Sequence, residues 1–147
     1  WTAPPWMKDN KDWRGGKLLP EYNNTWALFF SKYLEAYQAE GIEIWGFTVE
    51  NEPLGNDKNW ESMHFYPDEM TNFVQNHLGP KLEVDGHKVK ILGYDQNREH
   101  LNEWVDSMYK DERRSKYFDG TAIHWYASTY DYFPSELQYA HNKAAHK

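Results

Sequence analysis

Three runs of β-branched, aromatic and small residues punctuate the chain, and between them apolar residues recur at helical intervals. The first run, 42–50, carries Ile42, Ile44, Trp45, Phe47 and Val49, with Glu43 the only charge before Glu50, as a mostly buried strand does. Val89, Ile91, Leu92 and Tyr94 mark a second strand over 89–94, and Ala122, Ile123 and Trp125 a third over 121–125. Ahead of the first strand, Trp26, Phe29, Phe30, Tyr33, Leu34 and Tyr37 fall on one stripe of an amphipathic helix, assigned to packing. Asn24 or Thr25 is placed to cap that helix and Gly41 to end it. Pro67 opens the next helix with Asp68 and Glu69 in its first turn; Met70, Phe73, Val74, His77 and Leu78 form its buried face, and Gly79-Pro80 stops or bends it. Leu101, Trp104, Val105 and Met108 make a further stripe with a charged extension over 111–116, and Ser135 is placed to cap a last helix running to 144. Residues 1–6, where Pro4 and Pro5 oppose a helix, read as the exit of a strand, and 8–21 as a loop.

Strands alternating with helices make a parallel βαβ series, and right-handed crossovers bring the C-terminal ends of all three strands to one edge. Those ends carry Glu50-Asn51-Glu52, Asp95-Gln96-Asn97 and His124-Trp125-Tyr126. In a (β/α)8 barrel that face is the active site. Pro53 removes a backbone donor and pushes Glu52 away from the α region, so the strand is expected to end with Glu52 still extended.

Composition narrows the chemistry. The formal net charge of −7, with 16 basic residues in no dense run beyond Arg113-Arg114, argues against a nucleic-acid partner. No apolar run approaches the ~20 residues of a membrane span. With no cysteine there is neither a disulfide nor a thiolate metal site. His64, His77, His87, His100, His124, His141 and His146 never fall in an H-E-x-x-H or comparable spacing, and no glycine-rich phosphate loop occurs, so no metal and no cofactor are expected. Aromatic residues reach 18%, including 8 Trp and 11 Tyr. Most are core material, yet Trp and Tyr also supply the flat faces with polar tips that suit a sugar pocket. Asn23-Asn24-Thr25 is an N-glycosylation sequon, meaningful in a eukaryotic secretory context.

Thr48-Val49-Glu50-Asn51-Glu52-Pro53 resembles the acid/base strand of glycoside hydrolase family 30, the relatives of glucosylceramidase. Trp1-Thr2-Ala3-Pro4-Pro5-Trp6-Met7-Lys8, Leu78-Gly79-Pro80, Tyr94-Asp95-Gln96 and His124-Trp125-Tyr126 agree with it in the same order, over essentially the whole chain. The resemblance implies a partial (β/α)8 TIM barrel, from the exit of strand 3 to the helix after strand 6, so that 1–147 is a fragment of one catalytic domain. It implies that Glu52 is the general acid/base and that Asn51 binds the sugar's 2-hydroxyl. It places Trp1, His124, Trp125 and Tyr126 around the sugar, with Glu50 and Asp95 as support behind them. A secreted, periplasmic or lysosomal setting follows from the same likeness.

Glycoside cleavage by two carboxylates needs an acid that stays protonated near neutral pH and, in a retaining enzyme, a nucleophile ~5–5.5 Å away. Glu50, two residues from Glu52 on one strand, cannot flank a glycosidic bond from the opposite side; it reads as an acceptor orienting neighbours or a buried acid paired with a cation. Asp95 is a weak nucleophile for the same reason. The resemblance puts the nucleophile on strand 7, beyond Lys147. The substrate expected is a β-linked glucoside or glucan, glucosylceramide-like, with a β-1,6-glucan or a non-catalytic carbohydrate-binding role as alternatives.

Overall fold

The three strands pair side by side in chain order, all parallel. In the computed structural model β1 is Gly46–Thr48, β2 Lys90–Asn97 and β3 Gly120–His124, with Phe47 opposite Ile91 and Gly93 opposite Thr121. Every residue is described except Asn56, in the 54–66 loop, and His146, so the readings that include those two lie outside the described residues.

β1 is shorter than the run 42–50. Its ladder begins where β2 begins: Lys90 N–H donates to the Trp45 carbonyl at 2.9 Å and Val49 N–H to that of Leu92 at 3.2 Å. Nothing in β2 lies opposite Ile42 to Ile44, and Ile42 and Trp45 are exposed. β2 runs longer than 89–94 because a bulge between Tyr94 and Gln96 carries the pairing on to Asn97, opposite His124. Tyr94 and Asp95 both take left-handed backbone there, φ 74° and 56°. A bulge of this kind turns a strand and re-aims a side chain.

Helix α1 spans Asn23–Ala39 and starts ahead of the expected caps, with Tyr22 at the N-cap position and no side-chain cap. Asn24 instead accepts from His77 Nδ1 at 2.7 Å, which ties α1 to the helix beside it. Gly41 ends α1 as expected, with φ 77° and its N–H on the Gln38 carbonyl at 3.0 Å. The α1 stripe is divided: Trp26 and Leu34 are buried and Phe30 packs on Phe47 with ring centroids 4.9 Å apart, whereas Phe29, Tyr33 and Tyr37 are exposed.

Helix α2, Pro67–Phe73, is fixed at its start by Glu69, whose Oε2 accepts from Tyr66 N–H at 2.9 Å. Gly79-Pro80 does not stop it. A π-helical turn, Val74–Leu78, leads straight into α3, Gly79–Val84. The wider turn accommodates the proline ring and its missing donor. Gly79 has ordinary helical backbone, yet a Cβ there would lie 2.1 Å from Cγ of Tyr117, so only glycine fits. Helix α4, Leu101–Met108, buries all four stripe residues, and α5, Glu112–Ser115, is capped by Asp111, which accepts from Arg114 N–H at 2.9 Å. Helix α6, Pro134–Lys143, is entered through Phe133 at φ 53°; Ser135 caps nothing and bonds Glu136 instead.

The core lies between β2 and α2, α3 and α4, built from Met70, Phe73, Val74, Leu78, Trp104 and Met108 with Ile91, Tyr94 and Phe118. Among the described residues no helix is long and apolar enough to cross a membrane. Residues 1–22 wrap the edge as irregular chain with two short 3-10 turns, one of them, Pro5–Met7, opening on the prolines themselves.

Candidate active site

Glu52 departs from the extended backbone expected before a proline: its φ is 48°. The ring of Pro53 excludes right-handed helix at Glu52. The left-handed alternative is held from both sides, by Glu52 N–H on the Asp95 carbonyl at 2.9 Å and by Gly55 N–H on the Glu52 carbonyl at 2.7 Å. Such backbone costs a non-glycine residue about 1–2 kcal/mol and persists only where surrounding contacts enforce it.

The turn aims the Glu52 carboxylate across the strand ends. Its Oε1 lies 3.0 Å from His124 Nδ1, and the other ring nitrogen, Nε2, lies 3.0 Å from Asp95 Oδ1. Asp95 Oδ2 accepts from the Thr48 hydroxyl at 2.6 Å. One imidazole therefore bridges two carboxylates, each contributed by a different strand end, and all three side chains are less than a fifth exposed. Tyr126 stands edge-on to the His124 ring, centroids 5.5 Å apart, and its backbone N–H is held by Asn97 Oδ1 at 2.9 Å. Trp125 is exposed and packs on Tyr126.

Glu50 lies below this group and is buried, its Oε1 without a hydrogen-bond partner among the described residues. Burial holds its carboxyl well above the ordinary carboxylate range; Lys8 opposes that and Asp95 adds to it. Lys8 is itself fully buried, and its Nζ donates to Thr2 Oγ1 and to the Ser62 carbonyl, each at 2.8 Å. Glu50 is buried, as one of its two sequence readings expected, but among the described residues it forms no close ion pair with a cation. Glu50 and Asn51 border a cavity of about 390 Å³ that Trp1, Thr2, Phe47 and the open part of the α1 stripe also line. The sequence candidates thus fall in two neighbouring groups: Glu52, Asp95, His124 and Tyr126 at the strand ends, and Trp1, Glu50 and Asn51 around the cavity.

Two neighbours of the site, Thr48 and Lys8, were given no place in it by the sequence reading, while Asn97 lies on a strand end that reading did mark. Thr48 was within reach of it, since the run expected to be one strand puts Thr48 in alternation with Glu50 and Glu52. Glu35, Asp85 and His87 lie close enough to suggest a cation site. Their groups are already engaged: Ser31 bonds both Asp85 and His87, Lys81 pairs with Asp85, and Lys32 with Glu35. They pin the α3–β2 loop to α1.

Carboxylates and an imidazole gathered at the C-terminal ends of parallel strands place the chain among the α/β-barrel enzymes. It belongs to glycosyl hydrolase family 30: the profile of that family's TIM-barrel domain matches residues 1–146. It is 36% identical over 134 residues to lysosomal acid glucosylceramidase of Mus musculus and 36% identical over 138 residues to putative glucosylceramidase 3 of Caenorhabditis elegans, covering 86% and 88% of this chain and 26% of each relative. An endo-1,6-beta-D-glucanase of Neurospora crassa is equally similar, 36% over 146 residues, covering 97% of this chain and 29% of the relative. Among solved structures, SrfJ from Salmonella typhimurium superposes with a TM-score of 0.91 at 34% identity, and an endo-β1,6-glucanase with 0.89 at 33%. Both cover 100% of this chain, which spans 33% and 34% of theirs. The chain is therefore about a quarter to a third as long as the proteins it matches. The three parallel strands are a sector of the family's barrel wall.

Proposed function

We propose that residues 1–147 are the acid/base sector of a retaining β-glycosidase, part of one catalytic domain, and that Glu52 is the proton donor. The observation that carries this reading is the Glu52 carboxylate, turned by left-handed backbone to the strand-end face and held through Oε1 by His124. Its Oε2 has no hydrogen bond among the described residues and is the oxygen free to meet a glycosidic oxygen. Neither acid nearby is available as nucleophile: both oxygens of Asp95 are occupied and Glu50 is buried away from the strand-end face. The attacking carboxylate, ~5–5.5 Å from the acid in a retaining site, comes from another strand of the barrel.

Asn51, with Trp1 beside it at the cavity, binds the sugar through its 2-hydroxyl and ring face. His124, Trp125 and Tyr126 line the other side. The substrate is a β-linked glucoside: the Glu52 and His124 strands resemble the glucosylceramidase and β-1,6-glucanase side of the family, with glucosylceramide the first reading and a β-1,6-glucan the second, and relatives of equal identity stand on both. The test compares Glu52→Gln with the parent, in the open reading frame that carries this chain, on an alkyl and a nitrophenyl glucoside. The alkyl substrate, whose leaving group needs the proton, should lose about 10²–10⁴-fold and the nitrophenyl substrate far less in glycosylation, with azide rescuing turnover. Equal losses without rescue would remove Glu52 from the role.

A further inference from the structure

Resting on the reading of Glu52 as proton donor, we propose that Asp95 is a positioning residue for the proton-transfer step: it acts through His124 to decide how readily Glu52 gives up its proton. The warrant is the closed chain of contacts Thr48–Asp95–His124–Glu52 at 2.6, 3.0 and 3.0 Å. Asp95 receives the Thr48 hydroxyl on Oδ2 and the ring on Oδ1, so it acts as an acceptor on both oxygens, as an ionised carboxylate does. His124 must then carry its proton on Nε2, and Nδ1 is the atom turned to Glu52.

With the Asp95 carboxylate as counter-charge at 3.0 Å, the ring can carry a second proton on Nδ1, facing Glu52 Oε1. In that form Nδ1–H donates to Glu52 Oε1 and Nε2–H to Asp95 Oδ1. As the attacking carboxylate from another strand bonds to the sugar carbon and the glycosidic bond breaks, the Oε2–H bond of Glu52 breaks with it. The proton passes to the leaving oxygen, and the electron pair of the O–H bond stays on Oε2 as carboxylate charge. Nδ1–H is already bonded to that carboxylate and stabilises the charge as it develops. In the second half, the oxygen of water bonds to the sugar carbon as that carbon's bond to the attacking carboxylate breaks, the electron pair returning to the carboxylate, and the water's proton goes to Oε2, restoring the acid. His124 keeps both protons throughout. Asp95 touches no reacting atom; it supplies the counter-charge that keeps the ring in the state Glu52 needs. The backbone serves the same end, because Glu52 N–H on the Asp95 carbonyl fixes the distance between the two strand ends.

The experiment uses the same open reading frame and measures kcat and KM over a series of β-glucosides of increasing leaving-group pKa. In Asp95→Asn the fold and the ring contact can persist, since the amide oxygen still accepts from Nε2–H. Its kcat/KM should fall about 10-fold or more on alkyl glucosides and less than about 3-fold on nitrophenyl glucoside, part of the ~10²–10⁴ that general acid catalysis contributes. KM should hold, and the dependence on leaving group should steepen. Thr48→Val should shift the series in the same direction by less, and Thr48→Ser should restore the parent's behaviour; this pair carries the test if Asp95→Asn does not fold. Equal loss across all leaving groups, or none, in a folded Asp95 or Thr48 variant overturns the proposal while Glu52 keeps its role if Glu52→Gln retains the acid/base signature. Absence of that signature in Glu52→Gln overturns both.

Discussion

Glu52 and Asp95 are joined twice. The Glu52 N–H bonds the Asp95 carbonyl at 2.9 Å, and the two carboxylates grip opposite nitrogens of the His124 ring. Both residues sit in left-handed backbone, at φ 48° and 56°. Strain at adjacent strand ends that meet on one side chain points to a geometry selected for position rather than for stability.

Asn51 borders the cavity that Trp1 also lines. If it holds the 2-hydroxyl, Asn51→Ala removes a contact that strengthens as charge develops on the sugar ring, whatever the leaving group. Its kcat/KM should drop by a similar factor, about 10²–10³-fold, on alkyl and nitrophenyl glucosides. A 2-deoxy substrate should narrow the gap between parent and variant. A loss confined to alkyl glucosides would place Asn51 in the proton-transfer machinery instead.

Glu50 gives a pH dependence of known sign. Burial raises its folded value above the unfolded 4.5, so below about that pH both forms hold the proton and no penalty arises. As pH rises the unfolded chain ionises first, and stability falls until the folded value is passed. Glu50→Gln removes this term. Urea denaturation across pH 4 to 8 should find the variant gaining on the parent as pH rises, and a constant difference would show that Glu50 ionises normally in the fold.

Two glycines separate steric from conformational cost. Gly79→Ala forces a methyl against the Tyr117 ring within ordinary helical backbone, which should cost about 1–3 kcal/mol by overpacking. Gly41→Ala meets nothing within 4 Å, but its φ of 77° should cost about 1–2 kcal/mol in backbone strain. Tyr117→Ala should relieve the first and leave the second untouched. Thermal unfolding of the three single and two double variants decides it.

Expressed alone, residues 1–147 should not turn over a β-glucoside, because neither acid near Glu52 is free to attack. β1 and β3 each have one neighbour in the sheet, and Trp45, Ile42 and Tyr33 are exposed beside β1, so the isolated segment should also self-associate. Retention of configuration in a product released by the segment would relocate the nucleophile to this chain. Size-exclusion chromatography reports the association.

Much of the site was legible because its chemistry follows directly on buried runs: Glu52 after Val49, Asp95 after Tyr94, His124 after Ile123. Parallel pairing and the α4 stripe were legible for the same reason of period. The left-handed turns at Glu52, Tyr94 and Asp95 were not, since no glycine marks them and only tertiary contacts enforce them. The bridge from Glu52 to Asp95 through His124 depends on those turns and was hidden with them. The α1 stripe misled in part, because a period reports that a face is apolar without saying what lies against it: Phe29 and Tyr33 border the cavity. Gly79-Pro80 read as a stop because local propensity cannot anticipate a π-helical turn that absorbs the proline.

The bulge at Tyr94 to Gln96 puts an arithmetic limit on how this region can diversify. One additional residue in β2 sets Asn97 rather than Gln96 beside His124, so the site depends on a count as well as on identities. Exchanging Ile91 or Leu92 for another apolar residue leaves that count intact. Losing or gaining one position between Lys90 and Asp95 would turn the Asp95 carboxylate to the other side of the sheet. The 54–66 loop, anchored at its far end by Phe65 N–H on the Pro53 carbonyl at 3.0 Å, carries no such parity and can lengthen or shorten between its anchors. Lineages that part over substrate should therefore differ by indels in that loop and by replacements alone along β2.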